Sequence, residues 1–260
     1  MMMMKILMMK ILKISSFNYI NSINSMSRTI ILGDIHGESH KLKKVLSLCD
    51  FDYENDTLIQ LGDVVDRGLD PFGCIFELLK IKKLQLIQGN HDWCFLNWVR
   101  TIGYNFNGQH GSSITMNEWL KLNNSEKLIV ENFFSSQKLS LIDSQNRLFV
   151  HAGINVDSDI QIKEDLLWSR SFFMYLLSSQ KNKMPKKLQK WNEIFVGHNA
   201  TICFKRSKKG IISENNSNKK LGTTLPINIH NVWNIDTGSG FEGGVLTAMD
   251  IDTKEIWQIN

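Results

Sequence analysis

The chain has 260 residues, of which 42% are apolar, 22% charged and 10% aromatic. That balance excludes intrinsic disorder and collagen-like repetition. No stretch reaches the ~20 consecutive apolar residues of a membrane-spanning helix, so a cytoplasmic protein with no membrane partner is expected.

The formal charge of +4 is unevenly placed. Lys5, Lys10 and Lys13 supply three of those charges within an acid-free segment, residues 1–25, leaving +1 for the rest. A nearly neutral body gives no support for a nucleic-acid partner. The segment opens with four methionines and ends rich in Asn and Ser just before Met26. Lys10 and Lys13 interrupt any signal-peptide core. It therefore reads as a disordered leader or miscalled start, ahead of one domain over residues 26–260. Four cysteines with no C-x-x-C spacing read as buried thiols.

From Thr29 onward short apolar strands alternate with helical stretches. Thr29 to Leu32 is a β-branched and apolar run that ends in Gly33-Asp34. Leu42, Val45, Leu46 and Cys49 recur at helical spacing. Thr57 to Leu61 is the next strand, again followed by Gly-Asp, and Pro71 suits the first turn of a helix running to Lys80. Leu84 to Ile87 is a third strand, followed by Gln88-Gly89-Asn90-His91-Asp92. Residues 93–136 read as mostly helical. Strands at Leu148–Val150 and Ile194–Val196 precede His151 and His198, and Ile229–Ile235, Gly244–Ile251 and Glu255–Ile259 complete a strand-rich second half. Two basic stretches, Lys181–Lys190 and Lys205–Lys220, read as solvated loops.

Chemistry concentrates where strands end. His36, His91, His151 and His198 stand beside Gly, Asp or Asn, with Asp34, Asp63 and Asn90 at equivalent places. Asp34 and His36, two residues apart in an extended segment, would point the same way and share one metal. Asp63 would bridge to a second ion completed by Asn90, His151 and His198. Imidazole and carboxylate donors suit Mn, with Fe or Zn as alternatives. Two such ions with a bridging hydroxide leave the centre at about +1, ready to receive an anion and to clamp an in-line displacement at phosphorus. Arg67 and Arg170 are forks for phosphate oxygens. His91 follows a ligand without being one, and with Asp66 holding it as imidazolium it is the candidate general acid. His40 on a helix and His230 in a strand read as structural, and His110 is left open.

Gly33-Asp34-Ile35-His36-Gly37, Gly62-Asp63-Val64-Val65-Asp66-Arg67-Gly68 and Gly89-Asn90-His91-Asp92 resemble the three signature blocks of the phosphoprotein phosphatase family, within the metallophosphoesterase superfamily. His151-Ala152-Gly153, Leu167-Trp168-Ser169-Arg170, Gly197-His198-Asn199 and Ile235-Asp236-Thr237-Gly238 resemble its later blocks, in order. The resemblance implies an α/β fold, a four-layer αββα sandwich with a dinuclear metal site at the strand C-terminal ends. It implies metals on Asp34, His36, Asp63, Asn90, His151 and His198, phosphate on Arg67, Arg170 and Asn90, and catalysis by His91 with Asp66. The implied substrate is a phosphoprotein, at phosphoserine or phosphothreonine, or a small phosphorylated molecule. Asp92 stands where eukaryotic members have Glu, and Gly-His-Asn-Ala replaces Gly-His-Thr-Pro. Asp92 also occurs in related dinucleoside tetraphosphate hydrolases, the alternative reading. Asn107 to Thr115 loosely resembles a bacterial substrate loop.

Overall fold

The alternation of side chains along β1 (Thr29–Leu32) decides the architecture. Ile30 and Leu32 face one way and Ile31 the other, and all three are buried, so this strand needs cover on both faces. The same split recurs in β2 (Thr57–Gln60), β5 (Arg147–Val150) and β6 (Glu193–Val196). The computed structural model describes residues 27–101, 111–207, 212–214 and 222–260. Expectations for residues 1–25, for Gly108 and His110 of the Asn107–Thr115 stretch, and for Lys208, Lys209, Lys219 and Lys220 lie outside the described residues.

Two five-stranded sheets form the centre. The first runs in the order β12-β11-β1-β2-β3, with β3 at Lys83–Leu86, β11 at Leu246–Asp250 and β12 at Ile256–Ile259. Its β1, β2 and β3 are parallel neighbours in register, Ile31 opposite Ile59 and Ile59 opposite Gln85. The second runs β4-β5-β6-β10-β9, with β4 at Ser140–Ile142, β9 at Ile227–Ile229 and β10 at Val232–Asn234. A small hairpin pairs β7 (Phe204–Arg206) with β8 (Ile212–Glu214).

Three clusters of apolar side chains account for the layers. Ile31, Ile59, Phe149, Phe195, Ile235 and Met249 pack between the sheets, where the Phe149 and Phe195 rings stack with centroids 5.2 Å apart. The opposite face of the first sheet, from Ile30, Leu58 and Leu86, is covered by α1 (Ser39–Leu48), α2 (Pro71–Leu78), α3 (Asn90–Arg100), α4 (Ser112–Lys121) and α5 (Asn124–Ser136). Phe95 of α3 sits fully buried there, 5.1 Å from Phe134 and 5.4 Å from Trp119 between ring centroids. The outer face of the second sheet is covered by α6 (Lys163–Trp168) and α7 (Arg170–Ser179) through Leu166, Phe172, Phe173 and Leu176. This is the αββα sandwich expected from the motifs. No helix among the described residues is long and apolar enough to cross a membrane.

One strand assignment changes. Ile229–Ile235 is broken at His230, whose φ of 57° places it in the turn of the β9–β10 hairpin. His230 is therefore a turn residue, its ring 3.2 Å from the Ser179 hydroxyl and 3.1 Å from the Ser179 carbonyl. The turn falls on the polar pair His230-Asn231 and carries no glycine.

Candidate metal and phosphate site

Parallel strands β1, β2 and β3 end at one edge, and the segments leaving them turn across each other. The amides of Ile35 and His36 both donate to the Asp63 carbonyl, at 3.1 and 3.0 Å. His36 lies in the left-handed region with φ 50°. This corrects the expectation that Asp34 and His36 align by strand alternation: the chain after Asp34 is a tight turn. The turn itself brings His36 Nε2 to 4.0 Å from Asp34 Oδ2.

Asp63 is central. Its Oδ2 lies 3.7 Å from His36 Nε2, 3.4 Å from His151 Nε2 and 4.0 Å from His91 Nε2. Donor atoms of His36, Asp63 and His91 all fall within 4.8 Å of one another, and so do those of Asp63, His151 and His198. Asp63 thus belongs to both donor groups, but the first of them includes His91, expected as the acid, and not Asp34, expected as a ligand. Asn90 Oδ1 sits 3.0 Å from His151 Nε2 and 2.9 Å from His198 Nδ1. Gly89 lets α3 begin so close that a Cβ there would overlap Asp63 Oδ1, and the His91 amide donates to that same oxygen at 2.9 Å.

The donor set fits divalent cations. His36 Nδ1 donates to the Val65 carbonyl at 2.9 Å and His151 Nδ1 to the Leu61 carbonyl at 2.8 Å, which directs each Nε2 toward Asp63, where an ion can take its lone pair once any proton there has left. The buried Nε2 of His198 has no hydrogen-bond partner, an orphan that an ion relieves. Asp34, Asp63 and Asp236 are all buried, and the electrostatics records the crowding. Burial and then the Asp236 carboxylate push Asp34 well above the usual carboxylate range, while burial raises Asp236 to about 6. His151 is buried, yet Asp63 pushes it up to about 10; burial and the neighbouring His151 drive His198 down to about 3. A proton at His151 thus balances part of the negative charge that metal ions would balance.

His91 stands apart through its partner. Its Nδ1 donates to Asp66 Oδ2 at 2.6 Å, and Asp66 is anchored on its other oxygen by the Thr115 hydroxyl at 2.7 Å. Burial opposes the His91 cation, but Asp63 and Asp66 raise its pKa above the ordinary value. A cavity of about 170 Å³ opens over this edge, bordered by Asp63, Asn90, His91 and His198 and by Arg67, Arg170 and Trp168. The Arg67 guanidinium lies 4.3 Å above the ring of Phe241. Arg170 opens α7, whose cap is the Ser169 hydroxyl accepting from the Phe172 amide at 3.2 Å.

The residues assigned in the sequence to metal, phosphate and acid come together here. Asp34, His36 and His151 lie buried at the strand edge, and Arg67, Asn90, His91, Arg170 and His198 reach the cavity. Four contributors went unassigned from sequence. Asp236 adds a third buried carboxylate, Thr115 orients Asp66 from 49 residues away, and Trp168 and Phe241 frame the arginines. Asp236 and Trp168 lie inside the motif blocks, so a signal existed; Thr115 closes the Asn107–Thr115 stretch, whose loose resemblance to a substrate loop gave it no role beside Asp66. Asp92 is structural, accepting from the Val64 amide at 2.8 Å and from Gln137 Nε2 at 2.8 Å.

Residues 27–223 match the model of the calcineurin-like phosphoesterases. The chain belongs to that family. Among its relatives, the symmetrical bis(5'-nucleosyl)-tetraphosphatase of Proteus mirabilis is 32% identical over 138 residues, 51% of this chain and 46% of that protein. Serine/threonine-protein phosphatase 1 of Salmonella typhimurium is 42% identical over 62 residues, 24% of this chain and 28% of that one. The aligned stretch thus spans less than half the length of either relative. The solved metallophosphoesterase of Sphaerobacter thermophilus superposes with a TM-score of 0.53 at 16% identity, covering 89% of this chain and 87% of that one. It shares the fold of this metallophosphoesterase.

Proposed function

We propose that this metallophosphoesterase hydrolyses a phosphoanhydride bond in a dinucleoside polyphosphate, which reverses the order of the two substrate readings drawn from the motifs. The observation that carries this is the wall of the cavity, where Arg67 and Arg170 share space with Trp168, a tryptophan left 44% exposed. Two guanidinium groups suit a substrate with several phosphates, and a bare indole face suits a nucleobase. The longer similarity to a tetraphosphatase than to a protein phosphatase supports the same order.

Asp34, His36, Asp63, Asn90, His151 and His198 are the residues that would hold two divalent ions, Mn first and Fe or Zn as alternatives. When bound, the ions neutralise phosphate charge and make hydroxide available near neutral pH. The remaining work belongs to the chain. Arg67 and Arg170 hold non-bridging phosphate oxygens and fix the line of attack. His91, whose pKa Asp63 and Asp66 raise, faces the leaving oxygen as the candidate proton donor. A second reading, hydrolysis of phosphoserine or phosphothreonine, is favoured by that dyad, because an alkoxide leaving group needs a proton more than a nucleotide phosphate does.

Turnover of diadenosine tetraphosphate and of a phosphoserine peptide by the Mn-loaded protein, measured side by side, decides between them. Preference for the dinucleotide in kcat/KM is the expected result. Preference for the peptide overturns the order.

A further inference from the structure

A second cavity, of about 250 Å³, lies between the loop at residues 154–161 and the 3-10 turn Lys186–Lys190 that precedes β6. It shares no bordering residue with the first. Both walls are held by side chains that bond to backbone. Gln161 accepts from the Asn155 amide at 2.7 Å and donates to the carbonyls of Asn155 and Ser158 at 3.0 and 2.9 Å. Opposite, Asn231 Nδ2 donates to the carbonyls of Leu188 and Trp191 at 3.0 and 2.8 Å, and Asn146 Nδ2 to that of Lys190 at 2.7 Å. The cavity is therefore shaped before any ligand arrives, which lowers the ordering cost of binding.

Its chemistry has two signs. Lys187 and Lys190 lie on one wall, and neither is matched by an ion pair among the described residues; the Lys190 ammonium instead sits 5.2 Å from the centre of the Trp191 ring. The buried indole Nε1 of Trp191, also on that wall, has no hydrogen-bond partner among the described residues. Asp159, on the 154–161 loop, also borders the cavity, and its carboxylate accepts hydrogen bonds only. A bare polyanion meets repulsion from Asp159. A molecule with one phosphate toward the lysines and sugar hydroxyls toward Asp159 satisfies both sides. The volume lies below the roughly 300–1,000 Å³ of sites that enclose drug-sized ligands, so it takes a phosphate and a sugar ring and leaves a base outside.

We propose that this cavity is a second ligand site, built for the sugar-phosphate end of a nucleoside 5'-monophosphate. The proposal does not depend on which phosphate ester or anhydride the first site cleaves. The test is equilibrium binding of AMP, ribose 5-phosphate and orthophosphate to the full Mn-loaded chain, compared with the Lys187→Glu/Lys190→Glu double variant and with Asp159→Ala. Both lysines are exposed, so the double variant keeps the fold, checked by unchanged turnover of p-nitrophenyl phosphate. The expected result is one more AMP molecule bound per wild-type chain than per double-variant chain, with the lost class weakened at least tenfold. Ribose 5-phosphate is expected to follow AMP, and Asp159→Ala to weaken ribose 5-phosphate but not orthophosphate. Equal AMP stoichiometry in the two proteins overturns the proposal. So does a lysine-dependent class that holds orthophosphate as tightly as ribose 5-phosphate, which identifies an adventitious anion only.

Discussion

Removing the charge from Asp66 tests the proposed acid without removing the acid itself. Asp66→Asn is nearly isosteric, and its side-chain oxygen still accepts from the Thr115 hydroxyl, 2.7 Å away in the native protein. What disappears is the charge-assisted bond to His91 Nδ1, 2.6 Å long and largely out of water. Hydrogen bonds to charged groups contribute about 1.5–3 kcal/mol, which at 1.4 kcal/mol per decade corresponds to a fall of about 10- to 150-fold in a step that needs the cation. That fall depends on the leaving group. A phosphoserine peptide expels an alkoxide and should lose close to the full factor. Diadenosine tetraphosphate expels a nucleotide phosphate, already a stable anion, and should lose only a few-fold. The pH profile moves as well. Asp63 and Asp66 together raise His91, so the acid form persists to higher pH, and losing Asp66 shifts the basic limb for the peptide toward lower pH. Bound ions depress His91 in both proteins alike and leave the direction of this difference unchanged. The assay is kcat/KM for both substrates across pH 5–9, with metal content measured on each sample. Equal losses on the two substrates, at unchanged metal content, would falsify proton donation by His91 and leave it a phosphate-binding group.

Metal loading should be proton-coupled: His151 is pushed up to about 10, so below that pH an ion must displace its proton, and apparent affinity should weaken by up to about tenfold for each unit of acidification. Mn stoichiometry after dialysis at pH 6 and pH 8 measures this, and equal retention at limiting metal refutes it. Arg67 has φ 68°, so Arg67→Gly relieves backbone strain that Arg67→Ala retains. Both variants should lose phosphate affinity, and the glycine variant should be the more stable of the two by about 1 kcal/mol, seen as a higher Tm; a less stable glycine variant contradicts the strain argument.

The layers were legible because burial on both faces leaves a mark. Ile30-Ile31-Leu32 has no polar residue to spare, which marks a strand covered on both faces; that a second sheet supplies one of the covers came only from the resemblance of the motif blocks. The site was legible because its donors sit one or two residues beyond such strands, where side chains have no packing duty. Sequence was silent wherever the constraint lay in tertiary geometry. Thr115 gives no hint that its hydroxyl meets Asp66, and the polar pair His230-Asn231 is only a weak hairpin signal, because His230 takes the left-handed conformation usually given to glycine. The alternation argument for Asp34 and His36 reached the right pair by the wrong route, since strand periodicity stops where the strand does.

That failure points to how the site is held. Of the nine described non-glycine residues with positive φ, five are His36, Asp63, Asp66, Arg67 and His198. Each such residue costs on the order of 1 kcal/mol or more, and the cost persists only where the surroundings dictate the conformation. Here they do: the amides of Ile35 and His36 share the Asp63 carbonyl, and the Asp66 amide donates to the Thr115 hydroxyl at 3.0 Å. A left-handed residue at the end of a strand reverses the chain within one step, so functional groups from β1, β2 and β6 can turn inward toward one point while the strands run on parallel lines. Relaxed backbone would carry the same side chains past each other. The stability invested between the sheets, in Ile31, Ile59, Phe149 and Phe195, therefore supports a strained edge, and substitutions that soften that inner layer should disturb the geometry around Asp63 before they unfold the chain.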